Sequence, residues 1–171
     1  METTLDEFYE IRNTVSYYTA KTLSLFAFEN SDTNSQLVNK KEKSDGEDIF
    51  FADDSIPDQT TFINIFQLIV EASDCEIATV IYSMLLIDKF LLASGIKLDT
   101  KNIVLISISA FSISLKYNED MIISGNDFAL KILHLNKTLL AELELSFLKI
   151  IDYKIHYSKE CLAEYADNIF F

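Results

Sequence analysis

The chain has 171 residues, a formal net charge of −13 and 49% apolar residues, with only three glycines, one proline and two cysteines. This length favours one compact domain, and the apolar content is sufficient for a core, which excludes wholesale disorder. The scarcity of glycine and proline excludes collagen-like chains and argues against a turn-dense β-sandwich. Because phosphate and anionic lipid bind to clustered Lys and Arg, we expect neither nucleic acid nor a membrane as partner.

Cellular location is predicted from the cysteines and from the distribution of apolar residues. Cys75 and Cys161 are too few for a metal cluster or a disulfide framework, so we expect reduced thiols in a cytoplasmic or nuclear protein. Residues 1–20 carry five charges and no continuous apolar run, so no signal peptide is predicted. The longest charge-free stretch, residues 102–115, is shorter than the roughly 20 residues that cross a bilayer.

The first predicted element is an amphipathic helix over residues 1–28. Thr4 and Glu7 have the spacing of a capping box, in which each side chain accepts a hydrogen bond from the backbone of the other residue. Seven side chains then recur at steps of three and four and share one face: Leu5, Phe8, Ile11, Val15, Tyr18, Thr22 and Leu25. We expect this face to pack on the core of the same domain; the alternative is a partner-binding helix.

Residues 29–58 are predicted to form an acidic linker, mobile over residues 31–47, because they are rich in Ser, Asp, Asn, Glu and Lys. Residues 1–58 hold 13 acidic against 5 basic side chains, and the remaining residues hold 14 against 9. Ile49, Phe50 and Phe51 interrupt the polar stretch, so we expect them to attach its end to the domain. Pro57 fits the turn before the next helix.

The rest of the chain is predicted to be helical, with helices near residues 60–72, 75–94, 100–117, 126–134, 137–151 and 158–169. Residues 106–114 alternate like a strand, but no second alternating run could pair with them, so a buried helix is preferred. Gly95 and Gly125 fall where helices end or begin.

The motifs of common enzyme classes are missing from the sequence, so we do not expect an enzyme. The chain has no nucleophile elbow, phosphate-binding loop, dinucleotide fingerprint or zinc-ligand spacing. His134 and His156 lack a Glu three positions before them, which argues against a di-metal bundle site and favours structural or surface histidines. Glu142 and Glu144 are two residues apart, so a helix directs them away from each other. We therefore expect no cofactor and no metal.

Residues 88–144 resemble a cyclin box, most closely that of the small single-box cyclins of the P/U type, which include the fungal phosphate-regulation cyclins. Residues 87–91 read Ile-Asp-Lys-Phe-Leu, where these cyclins have Tyr/Leu-Asp-Arg-Leu-Leu at the end of the second box helix. Gly95, Leu98 and Asn102 follow in register without gaps. Residues 115–117 read Leu-Lys-Tyr and match the Ala-Lys-Tyr/Phe element that closes the third helix.

The second half of the box is similar after one insertion. Glu119 and Asp120 match an acidic pair, and Asn126 and Lys131 match an Asn and a Tyr-Ala-Lys element. Residues 143–153 match the pattern Leu-Glu-x-x-Phe-Leu-x-x-Leu-Asp-Phe. The resemblance covers about residues 57–165 and implies an all-α fold: a five-helix cyclin box within residues 59–171, including a C-terminal helix, preceded by the N-terminal helix.

The resemblance also implies a function. A cyclin is a regulatory subunit that binds and activates a cyclin-dependent Ser/Thr kinase, so we expect that partner and an otherwise monomeric protein. Residues 60–71 lack the Met-Arg-Ala-Ile-Leu patch with which larger mitotic cyclins dock substrates, so we do not expect docking there. Retinoblastoma-type and general transcription factor domains share the fold, which leaves a cyclin-fold adaptor or scaffold without kinase activation as the alternative.

The resemblance assigns roles to individual residues. Lys116 and Glu144 match the Lys and Glu that cyclins place against the αC helix of the kinase; an internal Lys116–Glu144 salt bridge is the alternative, and both can hold. Asp120 matches an Asp that pairs with an activation-loop arginine in the phosphate-type cyclins; a solvated loop acid is the alternative. Apolar anchors of the interface are sought among Phe90, Ile113, Tyr117 and Phe147. Structural roles are expected for Asp88, which would fix a loop, and for Asn102 and Asp152.

Overall fold

The computed structural model describes residues 4–34, 48–53, 56, 58–119 and 131–170. Within these residues it contains helices and no strand, which confirms the all-α prediction. The helices are α1 (Leu5–Asn34), a short 3₁₀ helix (Asp48–Phe50), α2 (Gln59–Ser73), α3 (Ile77–Ser94), α4 (Ile103–Asn118), α5 (Lys137–Ile150) and α6 (Lys159–Phe170). Residues 131–133 are also helical.

Local hydrogen bonds explain where several helices begin and end. Asp58 Oδ1 accepts from the Thr61 N–H at 2.8 Å, and Asn136 Oδ1 accepts from the Leu139 N–H at 2.7 Å. Both are N-caps that satisfy free donors of the first turn. Gly95 has φ 69° and donates its N–H to the Leu91 carbonyl, which confirms the predicted end of α3. The capping box also forms, since Thr4 N–H reaches Glu7 Oε2 at 2.8 Å and Glu7 N–H reaches Thr4 Oγ1 at 3.3 Å.

Helix α4 contains the residues whose pattern also fitted a strand. All residues from 106 to 114 are buried, and they pack between α3 and α5. Ser109 donates its hydroxyl to the Leu105 carbonyl at 2.6 Å, and Ser114 donates to the Ala110 carbonyl at 2.7 Å. Because these hydroxyls bond to their own helix, they can be buried among apolar neighbours. The helix prediction is confirmed.

Three phenylalanines from distant parts of the chain meet in the core. The Phe90 and Phe147 rings stack with their centroids 4.6 Å apart, and Phe50 approaches Phe90 edge-on at 4.9 Å. All three side chains are fully buried. Phe50 belongs to the 3₁₀ helix after the predicted linker, so the expectation that this apolar cluster attaches the segment to the domain is confirmed for Phe50.

Helix α1 continues to Asn34, six residues beyond its predicted end at residue 28. Two side chains in this extra part contact the loop between α3 and α4. Asn30 Nδ2 donates to the Leu98 carbonyl at 2.8 Å, and the Ser31 hydroxyl lies 3.2 Å from Thr100 Oγ1. These bonds hold residues that the composition alone assigned to the linker. Linker residues 35–47 and Pro57 lie outside the described residues.

The face of α1 that packs on the domain differs from the predicted one. Leu5, Ile11, Tyr18 and Leu25 of the predicted face are exposed. The buried side chains lie one or two residues further along the chain and are mostly small or polar: Arg12, Ser16, Thr19, Ala20, Leu23, Ser24 and Ala27. The prediction that the apolar face of α1 packs on the core was therefore wrong for its exposed members.

Polar contacts account for the orientation of α1. Arg12 is 3% exposed, and its Nη1 donates to Asp74 Oδ1 at 2.8 Å and to the Cys75 carbonyl at 3.3 Å. The guanidinium also lies 4.8 Å from the Tyr9 ring centroid. A buried charge is tolerated only when it is paired, so these contacts fix which side of the helix faces inward. The small residues that follow allow close approach to α2 and α3.

Helix α3 is long and apolar enough to cross a membrane by length and composition, with a mean hydropathy of 1.7 over its 18 residues. A core helix passes the same test. Half of α3 is buried, and it packs against α1, α4, α5 and α6. This packing places it at the centre of the bundle.

Candidate functional site

The predicted Lys and Glu pair is formed where the end of α4 meets the middle of α5. Lys116 Nζ lies 2.7 Å from each carboxylate oxygen of Glu144. Ser112, one turn before Lys116, donates its hydroxyl to the same carboxylate. The lysine side chain is 44% exposed and the glutamate side chain 13% exposed. The carboxylate is thus held from two sides, whereas the ammonium group is accessible to solvent.

Two features of the helices produce this arrangement. Ser112 and Lys116 are four residues apart on α4 and therefore lie on one face of that helix. Glu144 faces them because α5 packs along α4 with Leu140, Leu143 and Phe147 buried. An exposed pair of this kind contributes about 0–1 kcal/mol to stability, so the internal salt bridge alone is a weak stabilising element.

Tyr117 follows Lys116 and is half exposed. Its ring stacks on the buried ring of Tyr82, with centroids 5.4 Å apart and an angle of 17° between the planes. Its hydroxyl lies 2.7 Å from His156 Nδ1, within hydrogen-bond distance. The face of the Tyr117 ring and its hydroxyl are therefore both held in place beside Lys116. The contact with His156 was not predicted, and no signal in the sequence indicates a pair of residues so far apart in the chain.

The Tyr117 ring packs on an aromatic cluster that contains Tyr82 and Tyr157. Tyr157 meets Tyr82 edge-on with centroids 6.0 Å apart, and Lys89 Nζ lies 4.8 Å from the Tyr157 ring centroid. Lys89 Nζ also donates to the Lys154 carbonyl at 2.5 Å. Burial raises the pKa of the Tyr82 hydroxyl well above its usual value. The cluster joins α3, the end of α4 and the segment after α5 into one rigid surface.

Phe147 does not occupy a position from which it could contact a partner. It is fully buried between Phe90 and Phe50, and Phe90 and Ile113 are also buried. The prediction that these three side chains anchor an interface was wrong, because the apolar residues on the inner sides of α3, α4 and α5 pack in the core. Of the four candidates, Tyr117 alone is exposed.

Asp120 lies outside the described residues. Its neighbour Glu119 is described and contacts the start of α3. Glu119 Oε1 accepts from the Glu76 N–H at 3.0 Å and from the Thr79 hydroxyl at 2.6 Å. A carboxylate at this place satisfies a free donor and interacts favourably with the positive end of the helix dipole.

The three residues expected to be structural differ in their surroundings. Asn102 is fully buried, accepts from the Asp99 N–H at 2.8 Å and donates to the Lys97 carbonyl at 2.9 Å, so it ties the loop before α4. The Asp88 carboxyl accepts a hydrogen bond from the Tyr165 hydroxyl at 2.5 Å, so Asp88 contacts α6 instead of the loop that it was expected to fix.

Asp152 lies in the turn after α5, with φ 55°, and pairs with Lys154 at 2.9 Å. This hydrogen bond lowers the pKa of the Asp152 carboxyl. Burial raises the pKa of the Asp88 carboxyl, and the hydrogen bond from Tyr165 opposes that change. The two carboxylates therefore depart from their usual values in opposite directions.

Metal-binding clusters were sought among the described residues. In that part of the chain, no three His, Cys, Asp or Glu side chains are close enough together to hold a metal ion. The surface around Lys116, Glu144 and Tyr117 instead offers an exposed cation, a fixed carboxylate and an aromatic edge. The cation and the carboxylate can form charge-assisted hydrogen bonds with another protein.

A comparison with protein families gives one match. The model of the family described as "Cyclin, N-terminal domain" matches residues 35–156, well over half of the chain. The chain belongs to the cyclin family. The cyclin match begins within the predicted linker, earlier than the resemblance at residues 57–165 suggested. No curated protein is similar enough to this cyclin to be matched to it.

Family membership gives the general character of the cyclin. The cyclin family is regulatory rather than catalytic, and membership in it indicates a protein kinase as the general kind of partner. Within the fold, α2, α3, α4 and α5 supply helices of the box, and α1 and α6 flank them. The exposed Lys116 and Tyr117 lie at the junction of two box helices, α4 and α5.

Proposed function

We propose that this cyclin binds and activates a cyclin-dependent Ser/Thr kinase through the surface formed by Lys116, Tyr117 and Glu144. The observation that carries the proposal is the pairing of an exposed Lys116 with a Glu144 carboxylate fixed by Ser112. The cytoplasm or nucleus is the expected location, and one cyclin would bind one kinase.

The mechanism follows from what an active kinase requires. A protein kinase is active when its αC helix is turned inward, so that a Lys–Glu ion pair forms, and when its activation loop is ordered. A rigid surface that binds only the inward state shifts the population toward that state. The packing of α4 on α5 and the stacking of Tyr117 on Tyr82 supply such a surface here.

Lys116 and Glu144 can each form a further hydrogen bond with the kinase. Lys116 has three N–H donors, and the two distances to Glu144 leave it able to donate toward a backbone carbonyl of the kinase. Carbonyls at a helix C-terminus carry partial negative charge and attract such a cation. The Glu144 carboxylate can accept a further N–H bond, which is stronger than a neutral one.

A more specific proposal concerns the class of cyclin. If the chain is a P/U-type cyclin, Asp120 takes the place of a phosphate by pairing with an arginine of the activation loop, since a carboxylate can partly substitute for phosphate there. The complex would then be active with an unphosphorylated activation loop, and Asp120→Ala would abolish that activity. Unchanged activity in the variant would contradict the role, with Asp53→Ala as a control for loss of one surface acid.

Charge reversal separates partner contact from internal stabilisation. Lys116→Glu and Glu144→Lys each break the internal pair, and the double variant restores it with the charges exchanged. We expect the double variant to regain stability, while its affinity for purified cyclin-dependent kinases stays at least about tenfold below that of the unaltered protein. Affinity is measured by calorimetry and activation by phosphate transfer to a peptide.

Two results would contradict the proposal. Full kinase binding by the double variant would show that the pair acts only inside the cyclin. Binding without any increase in kinase activity would identify an adaptor instead of an activator.

A further inference from the structure

Helix α1 carries an apolar stripe that faces away from the domain. The stripe consists of Ile11, Tyr18 and Leu25, which are 47%, 51% and 41% exposed, and Leu5 extends it toward the first turn at 71%. Phe8, Val15 and Thr22 lie between them and are partly buried. Large apolar side chains that are exposed in a continuous row mark interaction sites more often than isolated ones do.

The spacing of the stripe is that of a coiled-coil seam. Phe8, Ile11, Val15, Tyr18, Thr22 and Leu25 alternate steps of three and four residues, so the three exposed members repeat every seven. An α-helix turns only about 20° out of register over seven residues, so Ile11, Tyr18 and Leu25 point in nearly the same direction. Such a seam accepts the side chains of a second helix lying alongside it.

The domain uses only part of this seam: Val15 packs against the core, whereas Ile11, Tyr18 and Leu25 are exposed. Helix α1 is attached mainly through the adjacent side of the helix. Arg12 and the small side chains that follow it face α2 and α3, and the bonds of Asn30 and Ser31 hold the far end. Helix α1 is therefore fixed along its length with the stripe directed outward. A rigid, exposed helix loses little conformational entropy when a partner binds.

The charges near the stripe select the partner. Asp6, Glu7 and Glu10 are exposed around its first half, while Arg12, the basic residue nearest to them, is buried against Asp74. A partner helix would gain from Lys or Arg beside its apolar seam at this end. A second copy of this chain would bring the same acidic turn and a further net charge of −13, and an anionic membrane would be repelled likewise.

We propose that the stripe Ile11–Tyr18–Leu25 of α1 binds an amphipathic helix of another protein, one with an apolar heptad seam flanked by Lys and Arg. The partner helix lies along α1, with its apolar side chains between those of the stripe and its cations near Glu7 and Glu10. The stripe shares no residue with the surface formed by Lys116, Tyr117 and Glu144, so we expect a kinase and this helix to bind at the same time.

The test uses two synthetic helical peptides with the same apolar heptad seam, one flanked by Lys and the other by Glu. We expect the Lys peptide to bind the full chain at least about tenfold more tightly than the Glu peptide, with the difference shrinking as salt is added. The variant Ile11→Gln/Tyr18→Gln/Leu25→Gln should lose the binding while keeping its helix content. Leu92→Gln, which removes an exposed leucine from α3, is the matched control and should bind normally.

Further measurements separate this proposal from other occupants and from the proposed kinase function. Lys116→Glu should still bind the Lys peptide, and the triple variant should still bind a kinase. Equal binding of both peptides, or undiminished binding by the triple variant, would overturn the proposal. So would loss of kinase binding in the triple variant, a dimer of the unaltered chain that the triple variant lacks, or binding of the stripe to lipid vesicles.

Discussion

Helices α1 and α4 both bury hydroxyl side chains, but the two helices are held in the protein in different ways. Residues 106–114 of α4 are buried on every side, and Ser109 and Ser114 bond to carbonyls of their own helix. Helix α1 buries one side, which contains Arg12 and small residues, and exposes Ile11, Tyr18 and Leu25. Apolar burial decides the position of α4, whereas an ion pair and close packing decide the orientation of α1.

This difference limits what hydrophobic periodicity can show. A repeat of three and four residues identifies side chains that share a face of a helix. It identifies the buried face only if transfer of apolar surface from water is the largest contribution to docking. In α1 the buried face contains the Arg12 guanidinium, which donates to Asp74 and to the Cys75 carbonyl. The small side chains on this face let the helix pack closely on α2. Substitutions in α1, in α4 and in the core test this contrast.

Phe147→Ala should have the largest effect, because it removes a fully buried ring from the cluster with Phe50 and Phe90. We expect the free energy of unfolding to fall by about 3–5 kcal/mol, from the lost transfer energy and the cavity left behind. Urea denaturation measures it, and Leu92→Ala on the surface of α3 should change it by less than about 0.5 kcal/mol. A similarly small effect of Phe147→Ala would show that this ring is not part of the core.

Arg12→Met should act on α1 more than on α4. The substitution keeps an unbranched apolar stem but removes the bonds to Asp74 and the Cys75 carbonyl, so we expect a loss of about 1–3 kcal/mol. Amide hydrogen exchange should accelerate in α1 and stay slow in α4. Asp74→Asn is the milder control, since an amide oxygen can still accept. If the amides of α1 exchanged equally slowly in the Arg12→Met variant and in the unaltered protein, Arg12 would not orient the helix.

A local opening near Arg12 can also be followed at Cys75. Burial raises the pKa of the Cys75 thiol to about 11, and its side chain is inaccessible, so it should react slowly with thiol reagents near neutral pH. In a Cys161→Ser background, Arg12→Met should speed this reaction if α1 leaves the corner between α2 and α3. An unchanged rate would place the opening elsewhere.

Ser107→Ala tests a buried hydroxyl of α4 that differs from its neighbours. Ser107 Oγ has no hydrogen-bond partner among the described residues and lines an apolar cavity with Phe66 and Phe111. Removing an unsatisfied polar group should stabilise the fold by about 0.5–1 kcal/mol. Ser109→Ala gains the same helix propensity but loses a hydrogen bond, so it should gain less. A destabilised Ser107→Ala variant would contradict the structure at this position.

Asp88→Asn should have the smallest effect, and its sign depends on pH. Because the folded state raises the pKa of Asp88, it binds a proton more tightly than the unfolded chain does, so this residue favours folding more as the pH falls through its raised pKa. The variant should therefore melt higher at neutral pH, by about 1–2 °C, and the advantage should shrink in acid.

Asp152→Asn is the matched opposite to Asp88→Asn. Lys154 lowers the pKa of Asp152, so its carboxylate favours folding above its unfolded pKa, and this contribution is lost as the pH falls through the lowered value. The variant should melt slightly lower at neutral pH. The two variants are compared by their melting temperatures, measured between about pH 4 and 8. The same sign for both variants at neutral pH would show that the two environments do not differ as described.

The local structure of this cyclin follows from the order of its residues. The capping box at Thr4 and the helix end at Gly95 depend on residues within a few positions of each other, and both are found as predicted. The Lys116–Glu144 pair was also predicted, though only as one of two alternatives, from a resemblance to a family. These features could be found because local hydrogen bonds and helix periods leave a direct record in the order of residues.

The surfaces that remain exposed depend on how the helices pack together. The sequence could not show that Phe147 is enclosed by Phe50 and Phe90, that Tyr117 reaches His156, or that α1 turns its apolar stripe outward. Each result depends on contacts between residues far apart in the chain, where packing and ion pairing compete for the same helix face. The sequence pattern identifies residues that could be buried, and the packing of the neighbouring helices determines which of them are buried.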